Sequence, residues 1–166
     1  MKAGSEAPAG AALTVLETAV APAWVDYNGH MNDAAYAGVF SQATDALMEW
    51  LGMDAAFRSA AGYTIYTLES HIRYRREAHE GDGLRVEAWL ADHDAKRLQV
   101  LMRLCDAADG TVLATGEQML MGIDTGSARP APFPAPVAAN VDRLWQGHAL
   151  PAGHDYGPLT TRIRRR

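Results

Sequence analysis

Two hydrophobic periods alternate along this chain, and their order predicts its architecture. Leu13 to Ala21 has the Thr, Val and Leu content of a first strand, which Pro22 closes. From Asp33 the period lengthens. Tyr36, Phe40, Ala43, Leu47 and Trp50 recur at spacings of four and three and so share one helical face, with Leu51 alongside and Gly52 placed as the C-cap. Ala35, Val39, Ala46 and Met48 make the other faces apolar too, so the helix is expected to be wrapped on more than one side. The remainder returns to period two. Tyr63 to Arg76 alternates, with Thr64, Tyr66, Leu68, Ser70, Ile72 and Tyr74 on one face and Ile65, Thr67, Glu69, His71 and Arg73 on the other. Leu84, Val86, Ala88 and Leu90 mark a third strand, and Leu98, Val100, Met102 and Leu104 a fourth, joined by a turn at Asp92 to Ala95. Asp109-Gly110 is a hairpin signal leading into a fifth strand from Thr111 to Ile123. Strand, long helix, then four strands on short connections predicts an α+β domain: a curved antiparallel sheet of about five strands wrapped around one central helix.

The pattern changes again after residue 128. Pro130, Pro132, Pro134 and Pro136 cannot continue a central strand, so residues 129–166 read as an extended exit, a short surface helix on Val137, Val141, Leu144, Trp145 and His148, and the basic end "RIRRR". The folded domain is assigned to residues 11–128, after about ten disordered residues.

Composition narrows the class without naming a chemistry. A chain of 166 residues, 48% hydrophobic and 21% charged, fits one globular core. No apolar run approaches the roughly 20 residues that span a bilayer, and "MKAGSEAPAG" has no signal-peptide h-region, so a cytoplasmic protein without a membrane partner is expected. A single cysteine, Cys105, fits a reducing compartment and reads as packing. The net charge of -5 argues against nucleic acid as a partner.

Polar chemistry is concentrated instead in "WVDYNGHMNDAAY", Trp24 to Tyr36, just ahead of the helix. A loop carrying Asp26, Gly29, His30 and Asn32, followed by Tyr36 in the helix, resembles the Asp-x-x-Gly-His-x-Asn loop of hotdog-fold acyl-CoA thioesterases of the 4-hydroxybenzoyl-CoA thioesterase type. The stretches "WVDYNGHMNDAAYAGVFSQATDALM", "YTIYTLESHIRY", "DAKRL" and "ATGEQML" are similar, more narrowly, to the betainyl-CoA thioesterases of carnitine breakdown. The resemblance implies hydrolysis of a short acyl-CoA thioester, most closely betainyl-CoA, with CoA as part of the substrate and no cofactor. It also implies a homodimer, with a tetramer made as a dimer of dimers left open. Generic short-chain or aromatic acyl-CoA hydrolysis, a hotdog hydratase and a non-catalytic acyl-CoA-binding module are the competing readings. The hydratase motif sets Asp and His five apart with a proline between, whereas Asp26 and His30 are four apart with Gly29 in that place.

Thioester hydrolysis needs a nucleophile or base and donors for the developing oxyanion. The resemblance assigns the first to Asp26, as nucleophile or as base for water; its plain alternative is a turn cap. The start of the helix near Asn32, Asp33 and Ala34 offers unpaired N–H groups and a positive dipole end for the carbonyl oxygen. Gly29 allows a sharp turn or close approach to a ligand. Asn32 is also a potential helix cap, Asp33 suits the dipole, and His30 is expected to order the loop. His30, His71, His79, His93, His148 and His154 form no HxH or HExxH pattern, so no metal site is expected. Trp24, Tyr27, Tyr36, Tyr63 and Tyr66 are candidates to surround a quaternary ammonium, and Glu69, on the strand that the resemblance sets beside the partner's catalytic loop, is a candidate to position water or to contact that cation. Arg73, Arg75 and Arg76, with Lys96 and Arg97, are candidates for the CoA phosphates. Core packing or surface solvation is the alternative for each.

Overall fold

The computed structural model describes residues 12–147, 149–151, 159 and 163. The N-terminal ten residues, His148, His154 and Arg164 to Arg166 lie outside the described residues. Among the described residues, six strands and three α-helices follow in the order β1 (Leu13–Ala19), α1 (Asp33–Trp50), α2 (Ala55–Ala61), β2 (Tyr63–Tyr74), β3 (Gly83–His93), β4 (Arg97–Asp106), β5 (Val112–Asp124), β6 (Arg129–Pro130) and α3 (Ala135–Gly147). A 3-10 turn, Pro22–Trp24, separates β1 from the loop before α1. The sheet is antiparallel in the order β1-β3-β4-β5-β2, with the short β6 beside the end of β5. It wraps α1, as the hydrophobic periods predict, and this is the hotdog arrangement.

Close packing of α1 depends on one missing side chain. Gly116 on β5 faces Phe40, and a Cβ there would lie 3.1 Å from the Phe40 ring. Phe40 is thereby almost wholly buried, as are Val39, Ala43 and Leu47 on the same helix and Leu51 just after it. Burying a phenyl side chain of this kind stabilises the fold by about 1.5–3 kcal/mol relative to leaving it in water. One buried polar pair joins the layers, where the Thr44 hydroxyl donates to Gln118 Oε1 at 2.6 Å.

Three features depart from the sequence reading. First, a β-bulge between Thr67 and Glu69 reverses the alternation of β2 halfway along. Tyr63 and Ile65 join the core from one side of the bulge and Ile72 packs on it from the other. The single alternating face from Thr64 to Tyr74 is therefore replaced by two faces that exchange at Leu68. Second, α2 escapes periodicity because seven residues with one aromatic give no repeat. Its start is marked by Asp54, whose carboxylate accepts the Phe57 N–H at 2.8 Å. Third, α3 is not simply a surface helix. Val137, Val141 and Leu144 are buried in the same core as α1 and the sheet. Asn140 Nδ2 donates to the Leu51 carbonyl at 3.0 Å, which ties α3 to the end of α1. Among the described residues no helix is long and apolar enough to cross a membrane. Cys105 is free and buried, and burial pushes its thiol pKa up.

Candidate active site

The loop ahead of α1 is a small hairpin built by its own sequence. Val25 and Met31 form an antiparallel bridge. Inside it, the Asp26 N–H donates to the His30 carbonyl and the Gly29 N–H to the Asp26 carbonyl, both at 3.0 Å. Gly29 closes this turn at φ +81°, a left-handed conformation that an L side chain rarely adopts. The Asn28 N–H donates to Asp26 Oδ1 at 2.8 Å, so the carboxylate does brace the turn. It does so with one oxygen, and Asp26 still lines the cavity described below.

Asn32 joins this hairpin to the helix. Its Oδ1 accepts the Ala35 N–H at 2.9 Å as the α1 cap, and its Nδ2 donates to the Trp24 carbonyl at 2.8 Å. The cap leaves the first two helical residues, Asp33 and Ala34, with N–H groups that have no carbonyl behind them in the helix. Asn32→Ala removes both contacts and is expected to lower stability by about 1–2 kcal/mol, read as a lower denaturation midpoint with an unchanged slope.

The other wall is the end of β2 and the segment after it. The Tyr36 hydroxyl donates to the Arg76 carbonyl at 3.0 Å, and the Met31 N–H to the Ala78 carbonyl at 2.8 Å. These bonds hold residues 75–79 against the loop. Tyr36 and Tyr74 meet edge to face at 5.3 Å. Burial pushes the Tyr36 phenol above its ordinary pKa, so it stays a neutral donor. Asp26, His30, Met31, Asp33, Tyr36, Tyr74, Arg75, Arg76 and Glu77 enclose an open cavity of about 330 Å³. Three carboxylates and two guanidinium groups thus face one space. Tyr74 and Glu77 were not singled out from the sequence, although they flank the arginines that were.

Other sequence candidates lie elsewhere in this chain. Trp24 is half-buried against the core, and Tyr27 points outward, 97% exposed. Tyr63 is buried at the far end of β2, its hydroxyl donating to the Ala131 carbonyl and its ring against Phe133. Desolvation there pushes its pKa up to about 12. Tyr63 therefore fastens the exit segment. Tyr66 is eight residues from Tyr74, about 26 Å along a strand, and is half-exposed. The five-ring cluster is not assembled within this chain: only Tyr36 of the five lines the cavity. Glu69 and His71 lie across from Met119 and Glu117, on the sheet face turned away from α1, and so does Arg73. Arg97 is at the opposite end of the sheet from Arg75 and Arg76, where both its Nε and its Nη2 donate to Asp94 Oδ2. That ion pair holds the Asp94 carboxyl below its usual pKa against the opposing effect of burial. Lys96 sits in the same turn, with its N–H donating to Asp94 Oδ1. Neither group shares a wall with the cavity, so of the proposed phosphate cluster only Arg75 and Arg76 come together with Asp26.

Comparison with known proteins places this geometry. The profile of the Thioesterase-like superfamily matches residues 20–141, which takes in the loop, α1, the sheet from β2 onward and about half of α3. The chain belongs to the Thioesterase-like superfamily. Within it, the chain is 44% identical over 146 residues to the betainyl-CoA thioesterase of Pseudomonas aeruginosa, covering 87% of this chain and 92% of that one. It is 41% identical over 137 residues to the L-carnitine dehydrogenase/betainyl-CoA thioesterase of Rhizobium meliloti, of which it spans only 27%. A Staphylococcus aureus protein solved in complex with CoA superposes with a TM-score of 0.80 at 29% identity, covering 93% of this chain and 100% of that one. Superfamily membership accounts for the sheet around one helix. The side chains facing the cavity set its particular chemistry.

Proposed function

We propose that the chain hydrolyses a short acyl-CoA thioester, with betainyl-CoA as its preferred substrate. The observation that carries this reading is the convergence of Asp26, the start of α1 and the Tyr36–Tyr74 pair on one cavity. The thioester carbonyl oxygen lies at the Asp33 and Ala34 N–H groups, where the helix dipole adds about half a positive charge. Asp26 either takes a proton from water as the water oxygen bonds to the carbonyl carbon, or attacks that carbon itself to give an anhydride that water then opens. In both routes the tetrahedral oxyanion collapses, the C–S bond breaks, and CoA leaves as a thiolate that then takes a proton. His30 orders the loop. Arg75 and Arg76 take the CoA phosphates as charge-assisted partners.

The betainyl assignment rests on charge and on the 44% identity. A trimethylammonium group is drawn to aromatic rings and to carboxylates, and Tyr36, Tyr74, Asp33 and Glu77 supply both within reach of Asp26. The chain's own groups and water suffice for this chemistry, so no cofactor is invoked. Carnitine breakdown in the cytoplasm is the setting that goes with the substrate. Acyl-CoA esters run as a panel in a thiol-release assay, beside an enoyl-CoA hydration assay, test the reading: hydrolysis led by betainyl-CoA supports it, and hydration or binding without turnover defeats it.

The same reading includes a homodimer. β2 is twelve residues long, stands at the sheet edge, and exposes Leu68 and Tyr66 near its middle. A second copy pairing along it would cover an edge that otherwise invites aggregation. Antiparallel pairing would also bring the partner's β2 beside Tyr74 and the cavity. Light scattering at micromolar concentration is expected to give twice the chain mass; a fully active monomer would overturn the dimer.

A further inference from the structure

We propose that His30, Glu77 and His79 form a binding site for a divalent transition-metal ion such as Zn2+, at the mouth of the cavity. One ligand atom from each of the three side chains lies within 4.8 Å of the other two. His30 Nε2 and Glu77 Oε2 are 3.4 Å apart. Two ligands about 2.1 Å from a tetrahedral Zn2+ are separated by about 3.4 Å, so the first pair already has the required spacing. No separation in the group exceeds 4.8 Å, so the contraction needed is at most about 1.4 Å, which a torsional adjustment of these partly exposed side chains supplies.

The ligands are also held by the backbone. Met31, next to His30, donates its N–H to the carbonyl of Ala78, which stands between Glu77 and His79 and is fully buried. Thus the loop and the segment after β2 are fixed to one another at the points that carry the three ligands. The imidazoles of His30 and His79 pack edge to face at 5.1 Å. Asp82 adds an outer contact. Its Oδ2 accepts the His79 backbone N–H at 2.7 Å and lies 3.6 Å from His79 Nδ1, which helps to hold His79 in place beside His30 and Glu77. Two imidazoles and one carboxylate suit Zn2+, Co2+ or Ni2+, whereas Mg2+ and Ca2+ prefer oxygen ligands. Three protein ligands leave a fourth position for water or a ligand from the cavity. His30 and Glu77 both line that cavity, so an ion held by them stands across its mouth and obstructs it.

The linear pattern hides the site. Glu77 and His79 are two apart, and His30 comes from 47 positions earlier, so no contiguous metal motif exists. Calorimetric titration of the full, metal-free chain with ZnCl2 is expected to give one saturable equivalent per chain, and CoCl2 to give the visible absorption bands of a low-coordinate ion. His79→Ala, whose side chain does not line the cavity, is expected to weaken Zn2+ by about tenfold or more, and Asp82→Asn by a smaller factor. His93→Ala, at a distant ring contact with Trp145, is expected to leave binding unchanged. Absence of a saturable equivalent, or parental affinity in His79→Ala, overturns the proposal. These readings use no substrate and stand or fall separately from the hydrolase assignment. If hydrolysis is measured by loss of thioester absorbance, Zn2+ is expected to inhibit the parent at concentrations that do not affect His79→Ala.

Discussion

Asp26→Asn is expected to reduce kcat for thioester hydrolysis by about a hundredfold or more while the protein stays folded. The two halves of that expectation come from the two carboxylate oxygens. Oδ1 accepts the Asn28 N–H and braces the turn. An asparagine keeps an oxygen there, so the hairpin between Val25 and Met31 survives. The second position becomes an NH2 group, which neither takes a proton nor attacks a carbonyl. A structural role for Asp26 alone would show as lost stability with retained turnover, the opposite outcome. Denaturation midpoints measured beside kcat therefore separate the two, and a parental rate in Asp26→Asn rules out the mechanism. His30→Gln is expected to cost much less, because His30 Nε2 faces Glu77. Rapid-mixing traces of the parent address the choice between routes: a burst of thiol equal to the enzyme concentration would mark an anhydride intermediate.

The parts of this molecule written locally in the sequence were the legible ones. The turn at Asp26 to Gly29, the cap at Asn32 and the stripe from Tyr36 to Trp50 each depend on residues within a few positions, and each lies where the pattern put it. What the sequence concealed were distances set by the sheet. One inserted residue near Leu68 exchanges the faces of β2. Alternation continued through that point assigns Tyr66 and Tyr74 to one side, although the first is on the face turned from α1 and the second meets Tyr36. Strand order mattered as well. β4 starts at the end of the sheet remote from Arg75, so within one chain Lys96 and Arg97 do not approach the arginines with which their charge groups them. Charge alone could not separate Arg97, held by Asp94, from Arg76, which lines the cavity. The same long-range folding brought His79 to His30, with no signal in the spacing of either.

These placements sharpen the expectation about substrate. Betainyl-CoA is expected to be hydrolysed with a kcat/KM roughly tenfold to a hundredfold above that of 3,3-dimethylbutyryl-CoA, which has nearly the same shape with a neutral carbon in place of the charged nitrogen. Within one chain, two rings, Tyr36 and Tyr74, line the cavity. At about 0.5–2 kcal/mol for each well-placed ring, Tyr36 and Tyr74 together give about 1–3 kcal/mol once part is offset by desolvating the ammonium. Each 1.4 kcal/mol is about a factor of ten. Asp33 and Glu77 act in the same direction, but both are open to solvent and their attraction is screened. Tyr74→Leu keeps a large apolar side chain while removing one ring, and is expected to lower the preference by severalfold with little change in turnover of the neutral ester. Raising the salt concentration separates the contributions further, since it weakens the carboxylate attraction more than a ring contact inside the cavity. Equal turnover of the two esters, or a preference untouched by Tyr74→Leu, would move the assignment to a generic short-chain or aromatic acyl-CoA thioesterase, in which Tyr36 and Tyr74 only shape the wall.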